Sequence, residues 1–441
     1  MIFKRKIYTD LLDWKKNWAK RRALLIQGAR RIGKSTIVEE FARKEYRSYI
    51  LINFQSDRKK VEGLFEDIFS LDEFFRNLSL LYGVRLYEGE SLIIFDEVQR
   101  FPTARESIKQ LVLDGRYHFI ETGSLISLRH NVENILIPSE ERAINMYPMD
   151  FEEFLWACGD EITAERIREN FGSLRPFGDA AHRNILRKFR TYLAVGGMPE
   201  AVNEFLETND YQSVDMIKRD ILTLYEEDLK KLDDIHHLST SLILRAVPSE
   251  LSSSSRLFRT VAIGENARMK RAYSSFDAIR ESMIVNIASS VMDPGFAPAL
   301  TKDFTRQKIY MADTGLLVSQ IFRSSEKPIN DSIYTALITD KISLNIGMVI
   351  ENAVAQALKT SGHDLYFYMF NHYEIDFLLP SGKKVIPIEA KSSTYSSHKS
   401  LDVFSEKYSS RVDNRRYVIY SKDLKKEGNV IFIPFYMTMC L

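Results

Sequence analysis

The stretch Gln27-Gly28-Ala29-Arg30-Arg31-Ile32-Gly33-Lys34-Ser35-Thr36 decides how the rest of the chain is read. It has the G-x-x-x-x-G-K-[ST] spacing of a phosphate-binding loop. Ahead of it, Ala23-Leu24-Leu25-Ile26 reads as a buried parallel strand. Behind it, Ile37-Val38-Glu39-Glu40-Phe41-Ala42 reads as a helix. That strand–loop–helix setting is what a working phosphate loop requires. The glycines let the backbone bend until successive N–H groups face one phosphate, and the helix N-terminus adds a favourable dipole. Gly28, Arg30, Arg31, Ile32, Gly33, Lys34, Ser35 and Thr36 are then the residues expected around ATP. Lys34 reaches the β- and γ-phosphates, and the Ser35 hydroxyl is a ligand of Mg²⁺.

Outward from this loop, Ser48 to Phe54 reads as a second strand, and a polar helical stretch runs to Tyr82. Ser91-Leu92-Ile93-Ile94-Phe95-Asp96-Glu97 has the form of a Walker B strand. Its apolar part is buried on both faces, and its acidic end emerges at the sheet edge where ligands bind. Asp96 is expected in the Mg²⁺ shell, and Glu97 orients or deprotonates the attacking water. Tyr117 to Ser124 reads as another strand, with Thr122 and Ser124 as candidate sensors of the γ-phosphate. Glu141 to Pro148 is a weaker fifth strand. Its Arg142 is either an arginine finger or a surface arginine, and the surface reading is favoured.

Length and composition suit this. The 441 residues allow two or three domains. Apolar residues make up 45% and charged residues 27%, as in an ordinary soluble protein. A formal net charge of +1 means that any nucleic-acid contact comes from a local patch. Cys158 and Cys440 are the two cysteines, too few for a disulfide framework or a zinc cluster, which fits the cytoplasm. No apolar run reaches the roughly 18 residues of a membrane span. Residues 1–22 hold eight Lys or Arg against two Asp. With Leu11, Leu12, Trp14 and Trp18 they predict an amphipathic helix whose charges either touch nucleic acid or are solvated, the solvated face being favoured.

Beyond residue 150 the pattern becomes helical to about residue 235, broken at Gly196-Gly197-Met198-Pro199. This reads as a helical lid. Asp233, Asp234, His236 and His237 read as a solvated helix end, not a metal site, because neighbouring histidines face different sides of a helix. The serines from 249 to 255 predict a turn and helix start, and Ser274-Ser275-Phe276-Asp277 an N-cap. Strand candidates near Met292 and at Ile309-Tyr310-Met311 then complete a winged-helix-like module, for which DNA contact is one reading and domain joining the other.

A second chemical pattern lies near the C-terminus. A helix from Gly347 to Leu358 carries Glu351. Strands follow at Leu365–Phe370, Tyr373–Leu379 and Lys384–Lys391. Side chains two apart on a strand share a face, so Glu374 pairs with Asp376 and Glu389 with Lys391. A hairpin closed by Ser381 to Lys384 sets Asp376 opposite Glu389, whereas a loop two residues shorter sets Glu374 there. Either carboxylate pair can hold Mg²⁺, with the lysine positioning water or stabilising charge on phosphorus.

These residues together resemble a prokaryotic family of AAA-type, STAND-like P-loop ATPases with a C-terminal domain related to restriction endonucleases. Gly28 to Ser35, Ile93 to Gln99 and Thr122-Gly123-Ser124 carry the likeness. So do Tyr147 to Phe154, Gly196 to Pro199, Ile309 to Leu317, Glu374-Ile375-Asp376 and Glu389-Ala390-Lys391. One departure is Glu141 where the family has Gly before Arg142. The resemblance implies an α/β chain in four parts: a P-loop ATPase core (1–150), the helical lid (151–235), the winged-helix-like module (236–335) and a restriction-endonuclease-like α/β domain (336–441). It implies ATP and Mg²⁺ as cofactors. Asp376 and Glu389 become metal ligands, Lys391 the catalytic lysine and Glu351 an auxiliary carboxylate. DNA and a protein partner are the candidate macromolecular partners, with no membrane, and a homo-oligomer is left open. The alternative is a nucleotide-controlled switch that keeps the nuclease-like fold as an inactive scaffold.

Overall fold

The computed structural model describes residues 1–66, 70–124, 139–236, 239–259, 269–295, 297–323, 331–339, 346–370, 373–391 and 398–441. Two compact units divide the chain: Met1–Tyr147 with Glu281–Met283, and Pro148–Arg280 with Ile284–Leu441.

The first unit opens with helix α1 (Ile7–Asn17), which buries Ile7, Leu11 and Trp14 at helical spacing. Leu12 and Trp18, expected on the same stripe, face solvent. There follow β1 (Ala23–Gln27), α2 (Lys34–Glu45), β2 (Ser48–Asn53), α3 (Arg58–Glu66), α4 (Leu71–Tyr82), β3 (Ser91–Asp96), α5 (Pro102–Asp114), β4 (His118–Gly123) and β5 (Glu141–Asn145). The ends of α4 show how local chemistry sets boundaries. The Ser70 side chain accepts from Glu73 N–H at the start, and Gly83 adopts a left-handed φ of 64° at the end. The five strands are parallel in the order β2-β3-β4-β1-β5. Every residue of β3 and β4 is buried, as a sheet covered on both faces requires. One face packs on α3, α4 and α5 through edge-on aromatic contacts, with Phe65 5.7 Å from Phe95 and 5.5 Å from Phe101.

Among these apolar residues lies a charged group. Arg105 of α5 grips the Glu141 carboxylate of β5 with two bonds, of 3.0 and 2.9 Å. Glu121 of β4 lies beside them, fully buried. Burial, then the Glu141 carboxylate, lifts the Glu121 carboxyl well above its ordinary 4.5. Protonated, Glu121 presents no second negative charge to Glu141.

The second unit begins with a capping box. Glu153 N–H donates to Asp150 Oδ1 at 2.9 Å, and the Glu153 carboxylate accepts from Asp150 N–H. Helices α6 (Phe151–Ala157), α7 (Glu161–Ser173), α8 (Asp179–Val195), α9 (Pro199–Thr208), α10 (Tyr211–His236), α11 (Thr240–Ser252) and α12 (Met269–Glu281) follow. Next come β6 (Val285–Val291), β7 (Lys302–Met311), α13 (Thr314–Ile321), α14 (Asp331–Thr339), α15 (Ile346–Thr360), β8 (Tyr366–Phe370), β9 (Tyr373–Ile375), β10 (Phe377–Ser381) and β11 (Lys384–Ala390). The chain closes with α16 (Lys399–Lys407), β12 (Arg416–Tyr420), β13 (Lys425–Glu427) and β14 (Val430–Pro434). The strands form two sheets, β7-β6-β8-β9 and β10-β11-β12-β14-β13.

Three local expectations change here. Ser249 to Ser252 end α11 and do not start a helix. Ser274 and Ser275 lie inside α12, which begins at Met269, and the Ser275 hydroxyl accepts from the distant Ser239 N–H. Asp233 caps α11, accepting from Thr240 N–H at 2.6 Å and Ser241 N–H at 2.9 Å, whereas His237 lies outside the described residues. Two sequence motifs also meet. Asp313 accepts from the N–H groups of Gly197 and of Leu316, the latter at 2.8 Å. Gly315 lies against Gly196, and neither has room for a Cβ. Among the described residues, no helix is long and apolar enough to cross a membrane.

The buried Glu121 predicts a pH dependence. The folded protein keeps a proton that the unfolded chain releases above pH 4.5. Stability therefore falls as pH rises above that point toward the folded value, by up to about 1.4 kcal/mol per unit. Thermal melts from pH 5 to 9 should show Glu121→Gln removing this slope and raising the melting temperature most at the alkaline end.

Candidate functional site

The phosphate loop takes its shape from two left-handed residues, Arg31 (φ 66°) and Gly33 (φ 92°), that turn the chain into α2. Gly28 is needed for another reason. A Cβ there would strike the Met146 carbonyl, just past β5, and the Ile32 side chain. Lys34 is buried, and its ammonium donates to the carbonyls of Gly28 at 2.9 Å and Ala29 at 2.8 Å. Burial lowers it to about 8, against the pull of Glu97 and Asp96. Arg30 is half-buried, and Arg31 and Thr36 are exposed.

Asp96, at the end of β3, is the meeting point. Its Oδ1 accepts from the Ser35 hydroxyl at 2.6 Å and from the Thr122 hydroxyl, and its Oδ2 accepts from Asn53 Nδ2 at 2.8 Å. Sheet order explains the convergence. With β4 between β1 and β3, the ends of β2, β3 and β4 and the loop after β1 open onto one edge. Glu97 has a left-handed φ of 56°, a strained backbone of the kind kept at functional sites. Its N–H points at Thr122 Oγ1, and its carboxylate accepts from Gln99 Nε2. Ser124 is buried just beyond β4. Arg142 stands opposite Leu24, at the strand end away from the loop, and packs on the Trp18 ring at 4.9 Å.

Hydroxyl and carboxylate oxygens from Ser35 and Asp96 suit a hard cation such as Mg²⁺. Lys34 suits phosphate, because its ammonium is held by carbonyl dipoles and exchanges them without breaking an ion pair. Three further residues serve this site without a sequence signal that singles them out: Asn53, Gln99 and Arg5. Arg5 belongs to the basic lead-in expected to be solvated. It is buried instead, donating to the Ile32 carbonyl at 3.0 Å and the Tyr147 carbonyl at 2.6 Å.

In the second unit, Ser381 pairs with Lys384 and Phe377 with Ile388, so the four-residue closure holds and Asp376 falls opposite Glu389. Asp376 Oδ2 accepts from Ala390 N–H at 2.8 Å. Glu389 is buried and paired with Lys391. Burial raises its carboxyl, the Lys391 bond opposes that, and Asp376 adds to the rise. Glu374 does not share this arrangement. The chain passes from one sheet to the other at Asp376, and Glu374 pairs with Lys308. Glu351, buried on α15, accepts from Lys308 at 3.0 Å and Tyr310 at 2.6 Å and pairs with Arg256. Burial, then Asp376 and Glu374, pushes the Tyr310 hydroxyl upward, so Tyr310 joins the two groups of charges. Among the described residues, no cluster of three or more His, Cys, Asp or Glu is arranged to hold a metal ion.

Comparison with known proteins agrees with the first unit. Residues 20–155 match a family model described as an AAA domain. Residues 186–327 and 346–437 match two domains of unknown function, DUF8612 and DUF4143. An uncharacterized protein of Methanocaldococcus jannaschii is 24% identical over 444 residues, covering 94% of this chain and 84% of its own. Solved structures that it resembles include Cdc6p from Pyrobaculum aerophilum, at 15% identity over 76% of this chain and 93% of that one, with a TM-score of 0.24. Drosophila ORC bound to DNA matches at 10% identity over 77% and 95%, with a TM-score of 0.26. C. elegans PCH-2 matches at 13% over 46% of this chain and 66% of that one, with a TM-score of 0.23. Scores this low transfer neither architecture nor activity.

Two substitutions test the loop. Arg5→Ala strands two carbonyls and should cost on the order of 2 kcal/mol of stability while weakening ATP binding, read by urea unfolding and by calorimetric titration. Gly28→Ala should displace the loop and cut ATP affinity by at least about tenfold, with the melting temperature reporting any general loss of fold.

Proposed function

We propose that this chain is a Mg²⁺-dependent ATP hydrolase whose nucleotide state governs a nuclease-like C-terminal domain acting on DNA. One observation carries the first half: Ser35, Thr122 and Asn53 converge on Asp96 beside the buried Lys34. In this reading Lys34 and the loop amides hold the phosphates, and Ser35 and Asp96 hold Mg²⁺. Bound Mg²⁺ supplies charge neutralisation at the transferred phosphoryl group. Glu97 takes the proton of the attacking water, its carboxylate steered by Gln99 and its backbone by Thr122. Thr122 and Ser124 register the γ-phosphate. The four parts expected from the sequence, 1–150, 151–235, 236–335 and 336–441, are the proposed domains, and the cytoplasm the proposed setting.

For the second half, Asp376 opposite Glu389, with Lys391 against Glu389, supports metal-dependent phosphodiester cleavage. A second reading has its own observation. Glu351 is already engaged by Lys308, Tyr310 and Arg256, which favours a nucleotide-controlled switch with an inactive nuclease-like scaffold that binds DNA or a protein.

A paired assay separates them, following phosphate release and plasmid nicking in Mg²⁺ and then Mn²⁺. Glu97→Gln should keep ATP binding and lose phosphate release by about 100-fold or more. Lys34→Ala should lose ATP binding. Nicking abolished by Asp376→Ala and Lys391→Ala establishes the nuclease. Phosphate release without nicking in either metal moves the conclusion to the switch, and wild-type protein that fails to bind ATP overturns both.

A further inference from the structure

A cleft of about 580 Å³ opens at the sheet edge beyond β2 and β3, distinct from the phosphate loop that follows β1. Arg58, Lys59 and Arg100 line it, beside the polar side chains of Gln55, Ser56 and Gln99, and no carboxylate is among its lining residues. Arg58 makes an exposed pair with Glu62 at 3.4 Å and lies 5.5 Å from the Phe101 ring centre. Among the described residues, Lys59 and Arg100 have no ion-pair partner. The nearest acid in sequence, Asp57, accepts from Tyr82 and Ser56 instead.

Cations with amide and hydroxyl groups are the side-chain set that holds phosphate oxygens. The three cations come from two separate segments, the first turn of α3 and the connection between β3 and α5, so they suit a row of phosphates more than one small anion. An acidic peptide would need apolar anchors, and no lining residue is an exposed large apolar side chain. One wall is also wired to the site already described. Gln99 lines the cleft, is buried, and donates to the Glu97 carboxylate. On the β2 side, Gln55 N–H donates at 2.9 Å to Asn53, whose amide holds Asp96.

We propose that this cleft binds the phosphate backbone of a nucleic-acid strand and that Gln99, a positioning residue, passes its occupancy to Glu97. The relay rests on the ATPase reading above; the binding does not.

The test is fluorescence anisotropy of a labelled single-stranded DNA oligonucleotide across a salt series, with the full-length chain. Binding should weaken linearly in log–log form with a slope of about −2 for three cations, each contributing about 0.7. Lys59→Glu with Arg100→Glu should cut affinity at least tenfold and flatten the slope. Both residues are exposed, so the fold should be kept. Lys16→Glu, on the exposed face of α1, should bind as wild type. The binding site is overturned if the double variant binds normally, or if millimolar inorganic phosphate or polyglutamate displaces the strand as well as unlabelled DNA does. For the relay, the oligonucleotide should change the kcat of phosphate release without changing KM for ATP. Gln99→Leu should abolish that response while still binding DNA, with Gln99→Asn restoring part of it. A strand that binds without altering kcat overturns the relay. Absence of phosphate release under all conditions overturns the ATPase reading and leaves the binding result standing.

Discussion

A carboxylate buried at the edge of a parallel sheet must be hydrogen-bonded, and most of the first unit can be understood as meeting that need for Asp96. Its two oxygens are met by a hydroxyl from the phosphate loop, a hydroxyl from β4 and an amide from β2. No two of these donors are near in sequence. They converge because β4 is inserted between β1 and β3, which brings the loop and Thr122 to the same side of the acid. The outcome is preorganisation. The groups suited to a metal and to phosphate are positioned by bonds to one another, so less ordering remains to be done on binding.

The phosphate loop is held from outside as well as by its own glycines. Gly28 is pinned by the backbone beyond β5, and Arg5 reaches from ahead of α1 to clamp the Ile32 and Tyr147 carbonyls. Both ends of the unit's chain therefore meet at the loop. On the opposite side of the Walker B strand, Gln99 and the left-handed backbone of Glu97 set where that carboxylate lies. A residue in a sparsely populated conformation stays there only when its neighbours over-determine it, and here Thr122 and Gln99 supply the constraint.

The second unit shows a different use of buried charge. Lys308 and Glu351 are nearly inaccessible to water and lie within a set that also includes Tyr310, Arg256 and Glu374. Desolvating so many charges is costly unless each is matched, and the matching joins α15 to β7 and to the segment before Asp376. The same helix uses Asn352 to hold Met311 N–H and Gln356 to hold Thr314 and Tyr192. Helix α15 is thus a spine of polar contacts.

Much of this was legible in the chain itself. The phosphate loop, the Walker B strand and the exit of β4 are local patterns in which apolar runs end in a few polar residues, and contiguous sequence is enough to encode them. The hairpin that sets Asp376 against Glu389 was legible down to two registers, and the turn at Gly382, with its φ of 57°, selects one of them. The sequence misled where a side chain's partner lay far along the chain. Arg5 read as solvated, Ser274 and Ser275 as a cap, and Glu374 as a companion of Asp376, because Ile32, Ser239 and Lys308 are distant in sequence. By itself, then, the sequence determined the nucleotide-binding elements and their order, since hydrophobic periodicity and turn chemistry act over a few residues. Only the tertiary structure decided which polar side chains share a buried site, because that depends on sheet order and on the requirement that every buried charge find a partner wherever the fold brings one.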